Sequence, residues 1–252
     1  AGGDQTPAQE VVNEIKKAGG EAAPSYDSVS DFTSAGKIIQ CAMDNFGRVD
    51  DVVNNAGNLL DVIFHKVSES DWDSVVNVML KGAFNTARHA ADHFRKQESG
   101  AFVHMTSTSG LIGGMGQANY GAAKMGLVGF TNVLAVEGAK FNIKANAIAP
   151  LAFTRMTEDL LGPLGEKLQP ELVSPLVTFL SHESCDSTGR TYSVGGGRVA
   201  EVFIAECQGY TSSELTPESL RDNWAQVTDQ DGYEVPAAIA EETAMFLKAL
   251  KD

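Results

Sequence analysis

Tyr120 and Lys124 stand four residues apart in Tyr-Gly-Ala-Ala-Lys, a segment that runs into helix, so their side chains share one face. That spacing joins an acid to a cation. A phenol with an ordinary pKa of ~10 is a poor base at neutral pH, and an adjacent ammonium favours its phenolate. Tyr120 can then remove or return a proton. Ser107 lies thirteen residues earlier, after the strand-like run Phe102-Val103-His104-Met105-Thr106, where the sites of parallel sheets gather their ligands. Its hydroxyl could orient a substrate oxygen. Tyr-x-x-x-Lys alone arises by chance on solvated helix faces, but its company with Ser107 and Asn54-Asn55-Ala56-Gly57 makes chance a poor account.

Elements of the right kind surround these residues. Thr6-Pro7 before Val11, Val12 and Ile15 reads as a capped helix ended by Gly19-Gly20. A short strand is expected at Ala22 to Tyr26 and an amphipathic helix from Ser30 to Phe46, closed by Gly47. Val49 to Asn55 reads as a buried parallel strand that meets a turn, and one helix, Ser70 to Gln97, returns the chain. Strand Ala101–Thr106, helix Ala118–Gly138, strand Ile143–Ala149, helix Pro170–Ser181 and strand Thr191–Val194 continue the alternation. Such a rhythm implies right-handed crossovers and a parallel sheet with helices on both faces. From Gly209 the pattern changes: Thr216-Pro217-Glu218 caps a polar helix, and a last helix runs from Ala237 to Leu250. Residues 1–208 are therefore expected to form the α/β domain and residues 209–252 a helical appendage.

Composition narrows the partners. A formal net charge of −14 opposes nucleic acid or an anionic membrane surface. Cys41, Cys185 and Cys207 form neither a disulfide framework nor a C-x-x-C pair, which points to a reducing, cytoplasmic setting. No apolar run reaches the ~18 residues of a membrane span. His89 and His93 share a helical face, but Ala90 replaces the glutamate of H-E-x-x-H, and no metal is expected. His104, Trp72 and Trp224 read as packing residues, and Glu241-Glu242 as a solvated face. Gly110-Leu-Ile-Gly-Gly-Met-Gly116 imitates a phosphate loop, yet its position between Ser107 and Tyr120 makes it a substrate-side connection. Gly195-Gly196-Gly197 ends a strand with no helix evident after it, so it lacks a phosphate-binding dipole.

With Ser107, Tyr120, Lys124 and Asn54–Gly57 in place, residues 1 to about 200 resemble the short-chain dehydrogenase/reductase family. The resemblance implies a Rossmann-type sheet and catalysis by Ser107, Tyr120 and Lys124. It implies that Asn54, Asn55, Ala56 and Gly57 lie under a nicotinamide cofactor, and that Asp27, Ser28 and Val29 approach its adenine. Pro150 and Thr154 would approach the nicotinamide, Lys124 would hold the ribose, and the positive ring would favour the Tyr120 phenolate. Tyr26-Asp-Ser-Val29, Gly116-Gln-Ala-Asn-Tyr120, Arg155-Met-Thr157 and His182-Glu-Ser-Cys185 carry a closer likeness. It is to the (3R)-hydroxyacyl-CoA dehydrogenase modules of type 2 peroxisomal multifunctional enzymes, also called 17β-hydroxysteroid dehydrogenase type 4, and their stand-alone bacterial relatives. That group implies NAD and an acyl-CoA or steroid substrate.

Two features depart from the family. Met79 stands in Val78-Met79-Leu80-Lys81-Gly82 where most members have an asparagine, and a thioether cannot replace an amide that holds a proton-relay water. The family's opening strand, glycine turn, first helix and second strand do not precede Ala1, so an N-terminally truncated record is expected. Three functions stay open: an NAD-dependent alcohol oxidation, an NADPH-dependent 3-oxoacyl reduction, and an inactive binding or assembly subunit. The family and the alanine-rich faces of the two long helices, with Ala83, Ala87, Ala90 and Ala91, imply a homodimer or homotetramer.

Overall fold

The computed structural model describes residues 6–154, 157 and 162–249. Arg155 and Met156, which carry part of the subgroup likeness, and Leu250, the expected end of the last helix, lie outside the described residues. The chain divides into two compact units, Ala1–Glu201 and Val202–Asp252.

The first unit opens with α1 (Thr6–Lys17) and α2 (Phe32–Phe46). Asp31 caps α2 by accepting from the Ser34 amide, and Gly47 ends it in the left-handed conformation at φ 76°. A parallel ladder follows: β1 (Asp51–Asn54), β2 (Gly100–Met105), β3 (Ile143–Pro150) and β4 (Arg190–Gly195), side by side in chain order. Among the described residues no strand precedes Asp51, and β1 is an edge strand.

Between β1 and β2 the chain forms α3 (Glu69–Val76) and α4 (Gly82–Gln97); α5 (Thr108–Leu111) and α6 (Ala118–Gly138) link β2 to β3, and α7 (Ser174–Ser181) leads to β4. Strand alternation splits the core in two. Val52, Phe102 and Ala145 pack with Ile39, Ala87, Phe94 and Ala135 of α2, α4 and α6, whereas Val103, Met105 and Ile148 pack with Leu180 of α7 on the opposite face. This is the Rossmann-like layering expected, with both faces carrying helices.

Several elements differ from expectation. Ala22–Tyr26 is not a strand: Pro24 has no amide to give a ladder, and its carbonyl instead receives the Cys41 thiol. The single helix expected over Ser70–Gln97 is broken by a π turn at Asn77–Lys81 that buries Met79. The helix expected from Pro170 is first a 3₁₀ turn, Pro170–Leu172, and becomes α-helical at Ser174 with Pro175 in its first turn. Gly196 and Gly197, at φ 56° and 81°, turn the chain back into an unforeseen strand, β5 (Arg198–Val202). A two-residue reversal makes β5 antiparallel, so the sheet is mixed rather than wholly parallel. Trp72 and Trp224, expected in packed surroundings, are both exposed.

In the second unit none of the described side chains from Val202 to Lys248 is buried. Glu206 and Glu234 pair through both backbone amides at 2.9 Å. Thr216 opens helix Pro217–Asp222 with a reciprocal cap to Ser219, as its sequence foretells; Trp224–Val227 and Ile239–Ala249 follow.

Candidate active site

Two short elements bring Ser107 to Tyr120. Ser107 caps α5, and its Oγ accepts from the Ser109 amide at 3.1 Å. At Gly110 a β-carbon would stand 2.8 Å from the Met125 nitrogen and 2.9 Å from the Lys124 Cβ, so only glycine lets α5 lie this close to α6. The Ser107 hydroxyl thereby comes near enough to the Tyr120 phenol to act on its ionisation. Thr106 and Lys124 lock the end of β2 to α6: the Thr106 hydroxyl donates to the Lys124 carbonyl at 2.6 Å, and Lys124 Nζ donates to the Met105 carbonyl at 2.6 Å. The Lys124 ammonium lies 5.5 Å from the centre of the Tyr120 ring.

Burial dominates the electrostatics. The Tyr120 phenol is pushed above its ordinary range by desolvation; the Ser107 hydrogen bond pulls it down, and the Asp61 carboxylate pushes it further up. Lys124 is itself lowered to about 8 by burial. The sequence leads one to expect a more acidic phenol, but burial is the largest influence on Tyr120 and raises its pKa in the protein alone. Among the described residues Met105 takes one of the three Lys124 donors, which leaves donors for hydroxyls of a bound group.

The Asn54 amide is engaged within the protein. Its Oδ1 accepts from the Thr86 hydroxyl at 2.5 Å, and its Nδ2 lies 3.2 Å from His104 Nδ1. It anchors the turn after β1, leaving Asn55, Ala56 and Gly57 exposed at the carboxyl end of the sheet. His104 is buried as expected, but its Nε2 has no partner among the described residues. Met79 packs beneath the turn, its methyl 2.9 Å from where a Gly57 β-carbon would sit.

Asp27, Ser28 and Val29 form a pinned loop. The Asp27 carboxylate accepts from the Ser25 and Ser34 hydroxyls at 3.2 Å, the Ser28 amide donates to Ser34 Oγ at 2.8 Å, and the Val29 carbonyl accepts from Asn85 Nδ2 at 2.7 Å. Pro150 ends β3, and the Thr154 amide donates to Thr157 Oγ1 at 2.8 Å. The carboxyl edge therefore gathers Ser107, the 54–57 turn and Pro150, whose strands are in parallel register. His89 is used differently: its Nε2 lies 2.8 Å from the Phe32 carbonyl, and its ring packs on Phe32.

Three side chains beside Tyr120 escape a reading of the sequence. Asn119, fully buried, accepts the Tyr120 amide at 2.8 Å and donates to the Leu60 and Asp71 carbonyls at 3.2 and 3.3 Å. Gln117 Nε2 donates to Asp61 Oδ2 at 2.9 Å. Their one visible signal is a polar pair immediately before Tyr120; their partners lie far away in the chain.

The short chain dehydrogenase family model matches residues 2–161. Over 238 residues the chain is 48% identical to a short-chain type dehydrogenase/reductase of Mycobacterium tuberculosis, covering 93% of this chain and 82% of that one. It is 42% identical over 254 residues to peroxisomal multifunctional enzyme type 2 of Mus musculus, covering 99% of this chain but 34% of the mouse protein. The solved full-length peroxisomal multifunctional enzyme type 2 of Drosophila melanogaster matches with a TM-score of 0.85 at 36% identity, over 97% of this chain and 43% of that chain. The chain thus spans well under half the length of these multifunctional proteins.

Proposed function

Because the chain belongs to the short-chain dehydrogenase/reductase family, we propose that it moves a hydride between the hydroxyl-bearing carbon of a 3-hydroxyacyl-CoA, or of a 17-hydroxysteroid, and NAD. The approach of Ser107 to Tyr120, with Lys124 on the same helix face, carries the reading. Ser107 donates to the substrate oxygen and orients it. Tyr120 takes the hydroxyl proton during oxidation and returns it during reduction. Lys124, held by Met105, stabilises the phenolate and keeps donors for the cofactor's ribose. Asn54, Asn55, Ala56 and Gly57 would hold the cofactor's central part, Asp27, Ser28 and Val29 its adenine side, and Pro150 and Thr154 its nicotinamide side. The nicotinamide, when bound, supplies the hydride acceptor.

One observation favours a second reading, an NADPH-dependent 3-oxoacyl reduction: over 77% of its length the chain is also 37% identical to a 3-oxoacyl-[acyl-carrier-protein] reductase of Synechocystis. Absorbance at the reduced-nicotinamide band, followed in the full-length protein at pH 7, decides both matters. Oxidation of 3-hydroxybutyryl-CoA or longer homologues with NAD is expected to outrun reduction of the 3-oxo compound with NADPH, and Tyr120→Phe should slow either by about 10²–10⁴-fold. Equal traces for the variant and the parent would sink the enzymatic reading.

The assembly reading is a homodimer or homotetramer built through α4 and α6. Free thiols at Cys41, Cys185 and Cys207 support a reducing, cytoplasmic setting, and among the described residues no helix is long and apolar enough to cross a membrane.

A further inference from the structure

Two loops close on each other at the mouth of the site. Asn119 Nδ2 reaches the Leu60 carbonyl at 3.2 Å, Gln117 Nε2 reaches Asp61 Oδ2 at 2.9 Å, and the Val62 amide donates to the Gly116 carbonyl at 2.8 Å. Three successive residues, 60 to 62, are thus tied to the segment that leads into Tyr120. The tie fixes an exposed carboxylate, Asp61, on Gln117, three residues before Tyr120, close enough for its charge to act on the phenol. The same two loops carry Phe64, Ile112 and Met115, exposed at 73%, 85% and 92%. A mouth with apolar edges and a fixed negative charge favours an apolar, uncharged substrate end and repels an anion.

We propose that Asp61, held by Gln117, is a specificity-determining residue that rejects substrates bearing a free carboxylate near the reacting carbon and admits their neutral thioester or ketone counterparts. The proposal rests on the oxidoreductase reading and narrows its substrate class. A carboxylate at this place also acts on the Tyr120 phenol, as Ser107 does, while Lys124 lies near its ring and the uncharged Asn119 holds its amide. The helix and π turn behind it pack through uncharged Val75, Val76, Met79 and Leu80. Removing the Asp61 charge therefore lowers the pH at which the phenol ionises.

The test uses two compounds with one acyl chain in the full-length protein: the N-acetylcysteamine thioester of 3-hydroxybutyrate, which is neutral, and free 3-hydroxybutyrate. The parent should prefer the thioester. Asp61→Asn, which keeps an oxygen for Gln117, should raise kcat/KM for the carboxylate relative to the thioester by about tenfold, a factor of the size set by one near charge across a partly wetted site. Asp61→Glu should stay near the parent ratio. Tyrosinate absorbance, with the Tyr120→Phe spectrum subtracted, should show Tyr120 ionising at lower pH in Asp61→Asn. An unchanged ratio overturns the proposal, and so does an unmoved Tyr120 titration. If neither compound is turned over by any variant, the oxidoreductase reading fails, and the titration alone decides whether the Asp61 charge acts on Tyr120.

Discussion

At the scale of single residues, His104 is one whose chemistry burial changes strongly. Burial lowers its pKa from 6.5 to about 4, so the folded protein holds it neutral while the unfolded chain binds a proton below about 6.5. The sign follows: its contribution is present above pH 6.5, falls away as pH drops toward 4, and amounts to on the order of 3 kcal/mol. A neutral replacement, His104→Gln, should flatten the loss of stability between those two pH values, as read from urea midpoints at pH 4, 5 and 7. A parallel pH dependence in parent and variant would show that other groups set the acid limit. Ser107, Tyr120 and Lys124 could be read from the sequence because helix periodicity places two of them and a strand end places the third. Asp61 could not, since its partner Gln117 is 56 residues away.

At the scale of elements, the site depends on how closely α5 lies on α6. Gly110→Ala would set a methyl against backbone, at 2.8 Å from the Met125 nitrogen, and move Ser107 away from Tyr120. A misplacement of about 1 Å can cost on the order of 100-fold in rate, so kcat should fall by at least about tenfold. Overpacking should cost only about 1–3 kcal/mol of stability. An unchanged kcat in steady-state assays, beside a lowered Tm, would mean that α5 does not position Ser107. The π turn at Asn77–Lys81 belongs to this scale as well. It adds to the helix a widening of a kind frequent at functional sites, and the apolar periodicity from Ser70 to Gln97 reads the same with or without it.

For the whole molecule, the outer faces of α4 and α6 border an open groove of about 400 Å³. Phe84, Val133 and Val136 stay exposed at 44%, 53% and 69%. Arg88, Asp92, Arg95 and Glu137 line the same groove, so a two-fold copy could set unlike charges against each other. If the proposed assembly uses this face, the double change Val133→Glu and Val136→Glu should turn the parent's sedimentation from dimer or tetramer to monomer; an unaltered oligomer would place the contact elsewhere. The sequence alone determined the alternation of strands and helices, the proposal that Ser107, Tyr120 and Lys124 act together, and the caps at Gly47 and Thr216, all of which rest on periodicity and near neighbours. Only the tertiary structure decided that Ala22–Tyr26 joins no sheet, that the chain reverses into β5, that His104 and Thr86 claim the Asn54 amide, and that Tyr120 is less acidic rather than more. The first two turn on single residues, Pro24 and the Gly196-Gly197 pair, that periodicity passes over; the last two depend on burial and on pairing between distant segments, and burial disfavours the charged form of a group that leaves water.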